Sequence, residues 1–72
     1  MNLVNVVREA IDRNSWRSEK HEVRVEFESE KKVVEVIGDA EMLTVAVKNL
    51  IENAIIYSNP GSMVGVVIEA VE

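Results

Sequence analysis

The sequence predicts an α+β fold: a two-layer sandwich in the order α-β-β-α-β, with the helices on one face of a small sheet. Two helical periodicities and one stretch of strict alternation carry that reading. Leu3, Val4, Val7, Ala10 and Ile11 recur at i, i+1, i+4, i+7 and i+8, which is one face of a helix. From Ala40 to Ser58 there is neither Gly nor Pro, and apolar pairs from Met42-Leu43 to Ala54-Ile55 return every four residues. Between the two, Val23, Val25 and Phe27 alternate with Glu22, Arg24, Glu26 and Glu28, the pattern of a strand with one buried and one solvated face.

In chain order, Asn2 is suited to cap the first helix, and Asn14-Ser15 breaks its pattern. A polar connector is expected from there to His21, with Trp16 as a hydrophobic lid on the core edge and His21 as a surface residue. After the first strand, Ser29-Glu30-Lys31-Lys32 reads as a turn and 33–37 as a second strand, the two forming an antiparallel hairpin. Asp39 is a good N-cap for the long helix, which Asn59-Pro60-Gly61 ends. Leu43, Val47, Leu50, Ile51 and Ala54 should pack on Val23, Val25 and Phe27, while Thr44, Lys48, Asn49 and Glu52 form the polar side. Residues 62–71 are rich in β-formers, with Gly65 as a bulge or a point of close approach.

With 72 residues the chain has room for one small domain, 1–72, whose core is marginal. Its 47% hydrophobic content argues against disorder. The absence of Cys excludes disulfides and thiolate metal sites. The net charge of −5 lies entirely in 33–72, where six acids meet one base, Lys48. With no basic stripe, neither nucleic acid nor an anionic membrane surface is an expected partner. No apolar run approaches the roughly 18 residues of a membrane span, and the first residues lack a signal peptide's basic region, so a cytoplasmic location is expected.

Asn49, Asn53 and Tyr57 stand four apart and stack along one face of the long helix. Asn is disfavoured within helices, so two on one face call for a reason. Either both are solvated or cap a neighbouring loop, or their amide oxygens, hard neutral ligands of the kind Mg²⁺ accepts beside phosphate and water, line a cleft.

The runs Gly38-Asp39-Ala40-Glu41-Met42-Leu43 and Asn49-Leu50-Ile51-Glu52-Asn53-Ala54-Ile55-Ile56-Tyr57-Ser58 resemble the ATP-binding domain of bacterial sensor histidine kinases, a GHKL or Bergerat fold; 49–58 resembles its N box. Residues 2–11 look like that domain's first helix. The resemblance implies that Asn53 ligates the Mg²⁺ bridging the ATP phosphates, that Asn49 joins it at the same cluster, and that Tyr57 lines the nucleotide site. Ile56 stands where many members carry a phosphate-contacting Lys or Arg. An amide at Asn49, where the ATPase branches carry a Glu base, fits phosphoryl transfer to a histidine better than hydrolysis.

The family's Asp-x-Gly-x-Gly motif, lid and later glycine-rich box are not in the sequence. The resemblance therefore implies a half domain, inactive alone, with ATP and Mg²⁺ belonging to the intact parent domain and neither expected bound here. A second reading is an engineered or stand-alone structural module derived from such a half, with an interface as its only activity. A third is a small binding protein whose likeness is accidental. In the first two, 64–71 presents an unpaired, β-branched edge, and a homodimer through residues 62–71 is expected.

Overall fold

The computed structural model describes residues 1–69, with helices α1 (Leu3–Arg13), α2 (Ser15–His21) and α3 (Ala40–Ile56) and strands β1 (Arg24–Ser29) and β2 (Met63–Ile68). The architecture is α+β, as the patterning requires. Along both strands the burial alternates: Val25, Phe27, Val64, Val66 and Ile68 turn toward α1 and α3, and Arg24, Glu26, Glu28, Met63, Gly65 and Val67 face outward. Two small clusters fill the space between the layers. Ala10, Val23, Ile51 and Ile55 form one, and Val4, Val7 and Ile68 the other. Asn2 caps α1, its Oδ1 accepting from Val4 N at 3.1 Å. Asp39 does the same for α3, accepting from Met42 N at 3.1 Å.

The expected hairpin does not form. β1 pairs with β2 instead, parallel and in register from Arg24 opposite Met63 to Ser29 opposite Ile68. Residues 33–37 run antiparallel to the N-terminus, bridging Asn2 and Glu35. Leu3 N donates to Val34 O at 2.7 Å, and Val36 N to Met1 O at 2.9 Å. The reason lies in Asn2, whose Oδ1 accepts from Val34 N at 3.0 Å as well as from Val4 N, so the cap of α1 also captures this segment. With 33–37 drawn away, the crossover through α3 returns β2 to the side of β1 and buries Val64, Val66 and Ile68 under the helices.

Three smaller expectations also change. The polar connector is α2, started by Asn14, whose carbonyl accepts from Arg17 N and Ser18 N, and ended by Glu22 in the left-handed region at φ 56°. Trp16 is no lid: it is 57% exposed, and its ring stacks under the Arg17 guanidinium at 4.3 Å. A Cβ on Gly65 would meet nothing within 4 Å, so no backbone approaches it. Gly61, at φ +88°, closes the turn after α3 and donates to Glu22 O at 2.7 Å. Ala70 and Val71, at the end of the expected last strand, lie outside the described residues.

Candidate functional site: the outer face of α3

α3 buries a different stripe from the one its apolar pairs suggest. Thr44, Ile51 and Ile55 are its buried residues, with Leu43 and Val47 half-buried beside them. Leu50, expected in the core, is 70% exposed, and Met42, Val45 and Ala46 are exposed with it. Adjacent residues on a helix stand about 100° apart, so in the first three pairs the second member turns in and the first out, and in the last pair Ile55 is buried beside a half-buried Ala54. Of the expected polar side, Thr44 is buried, its hydroxyl donating to Ala40 O at 2.7 Å, and Lys48 and Glu52 are half-buried, whereas Asn49 is exposed.

A polar knot fixes this rotation. Asn14, 1% exposed, donates through Nδ2 to Ala10 O at 3.1 Å and to Lys48 O at 3.0 Å, and its Oδ1 accepts from Arg17 Nη1 at 2.6 Å. Arg17 Nη2 reaches Glu52 Oε1 at 3.2 Å, and Lys48 Nζ lies 3.8 Å from Glu52 Oε2. In the first turn of α3, Glu41 is clasped bidentately by Arg13 at 2.8 and 3.1 Å. The hydrogen bonds from Arg13, and then its charge, hold the Glu41 carboxyl below the usual carboxylate range. Sequence reasoning passed over Asn14 and Arg17. The signal was present, because Val7, Ala10 and Asn14 fall on one line of α1.

Held this way, α3 turns Asn49, Asn53 and Tyr57 to solvent on one line, with Tyr57 87% exposed. None of the three side chains hydrogen-bonds another described residue. A shallow groove of about 390 Å³ runs beside Asn49, lined by Glu41, Met42, Val45 and Ala46. Glu52 points inward to Arg17 rather than along the stripe. Among the described residues, no three His, Cys, Asp or Glu side chains gather into a metal cluster. Two amide oxygens on an open face suit a cation whose shell is completed largely by phosphate and water. His21 is the last residue of α2.

No protein-family model matches the chain, and no curated protein matches it. Among solved structures, one described as the cytoplasmic segment of histidine kinase QseC is similar, with a TM-score of 0.92 and 23% sequence identity, over 97% of this chain and 46% of that one. At that identity the likeness establishes the fold, and the chain spans less than half the length of its neighbour. No helix among the described residues is long and apolar enough to cross a membrane.

Proposed function

We propose that the chain is the N-box half of a sensor-histidine-kinase ATP-binding domain, cytoplasmic and inactive alone, with α3 as one wall of a Mg-ATP site. One observation carries this: Asn49, Asn53 and Tyr57, the three residues that match the N box, stand in line on the outer face of α3 and are spent on no internal bond. In this reading Asn53 and Asn49 turn their amide oxygens to the cation and phosphates, and Tyr57 offers a ring edge to the nucleotide. The metal, when bound, neutralises phosphate charge. The chain's own part is to hold the two amides one helical turn apart through the Asn14–Arg17–Glu52 knot behind them. The fold likeness to a histidine kinase segment supports the reading.

One wall leaves the adenine solvated and the phosphates mobile, so affinity no tighter than about millimolar, roughly 4 kcal/mol, is expected. In a Mg-ATP titration followed by NMR, the Asn49 and Asn53 side-chain amides and the Tyr57 ring should shift together at millimolar ligand, and Asn53→Ala should abolish the response. Micromolar binding would overturn the one-wall argument; shifts confined to another face would overturn the site. A complete lack of response would favour a structural module without ligand. Ile56 favours that second reading: 46% exposed, it puts an apolar side chain where the family's phosphate-contacting base stands.

A further inference from the structure

We infer that a second copy of this chain docks on the open edge of β2, by antiparallel β2–β2 pairing about a two-fold axis through Gly65. The inference is independent of the nucleotide reading, since it rests on the strand edge and on none of Asn49, Asn53 and Tyr57.

The backbone sets the register. Arg24 N donates to Ser62 O at 3.1 Å, and in a parallel pair this fixes the alternation along β2. Even-numbered residues turn N–H and C=O toward β1. Those of Met63, Gly65 and Val67 point to the open side, where β2 has no neighbour among the described residues. A two-fold axis normal to the sheet at Gly65 pairs Gly65 with its own copy, and Met63 with Val67 of the second copy. All three outward-facing residues then exchange bonds, and each side chain meets one on its own face of the sheet. Gly65 lacks a Cβ and has open space around it, so it permits close approach at the axis.

The same axis keeps both helical layers on one side of the extended sheet, so the two α3 helices meet as neighbours. Between α3 and the β2 edge runs a groove of about 280 Å³, with Leu50, Ala54, Gly65 and Val67 in its walls and no residue of β1. Leu50 is 70% exposed and Val67 57% exposed beside it.

Charge selects this edge for self-association. Two chains of net charge −5 repel, yet β2 carries no charge from Met63 to Ile68. β1 carries Arg24, Glu26 and Glu28 on its outer face, the kind of side chains that block strand addition. Surface area agrees. The chain exposes 5135 Å², against about 4,500 Å² for a monomer of this mass. The excess approaches the roughly 800 Å² one partner buries in a standard interface.

Sedimentation equilibrium of the 72-residue chain at high micromolar concentration should give twice the 8.1 kDa mass of one chain. Val67→Lys should weaken the dimer by about tenfold or more, because each change enters a two-fold interface twice. Gly65→Pro removes an amide that points away from β1, so it should yield a monomer that keeps its helical circular dichroism. A wild-type chain of 8.1 kDa mass under these conditions would overturn the inference. So would a dimer unchanged by both substitutions.

Discussion

Asn14 and Leu50 trade the roles their chemistry suggests. The amide is buried and the leucine is exposed. Removing the Asn14 side chain takes the Nδ2 donor from Ala10 O and Lys48 O and the Oδ1 acceptor from Arg17 Nη1, so Asn14→Ala is expected to cost about 1–3 kcal/mol. Leu50→Ala, which a core position would make a loss of about 2–5 kcal/mol, is expected to stay within about 0.5 kcal/mol. Asn53→Ala should be neutral or stabilising by up to about 0.7 kcal/mol, since it replaces an exposed, unbonded helical Asn by the best helix former. Urea midpoints of the three variants, measured dilute, test the ordering. A loss at Leu50 larger than that at Asn14 would place the core on the wrong face of α3. The Asn49–Asn53–Tyr57 stripe was legible at this scale, because spacing alone puts the three on one line. Which apolar half of α3 turns inward was not, because both halves carry the same periodic signal and the choice is made by Asn14 and Arg17 from another helix.

Among the elements, α1, β1, α3 and β2 were legible from periodicity and caps, whereas strand partnership was not. Local sequence favours pairing β1 with 33–37 across a short polar turn. What overrides it is non-local: Asn2 binds Val34, and the α3 crossover delivers an uncharged strand to β1. α2 escaped because it buries no residue and so leaves no apolar period to read. The link from α1 to α3 carries a pH signature. Arg13 lowers the folded-state pKa of Glu41, so the pair's stabilisation is present above the ordinary carboxylate range and is lost as pH falls through the lowered value. The melting-temperature gap between wild type and Glu41→Gln should therefore be open at neutral pH and close on acidification. The gap should be small, because both side chains reach solvent and salt screens them. A gap that widens toward acid would show that Glu41 gains nothing from Arg13.

For the whole molecule, size decides. A chain of 72 residues that gathers its core into two small clusters is expected to hold only about 4–11 kcal/mol of stability. Met42, Val45 and Leu50 on α3 and Val67 at the β2 edge stay exposed, and on the proposed reading a second copy covers the edge. Folding and association are then linked: the folded state gains free energy from a partner that the unfolded chain does not bind, so stability grows with concentration. The midpoint of thermal unfolding, followed by circular dichroism, should rise steadily as the chain is raised from low to high micromolar. In Gly65→Pro the rise should vanish while the helical signal persists, since that change removes an edge donor and no bond of the β1–β2 ladder. Leu50→Ala lies beside the same edge, so its effect, negligible in dilute solution, should become measurable once the dimer forms. A midpoint independent of concentration in the wild type would mean that the two clusters and the Asn14 knot hold the fold unaided, with the β2 edge left to solvent.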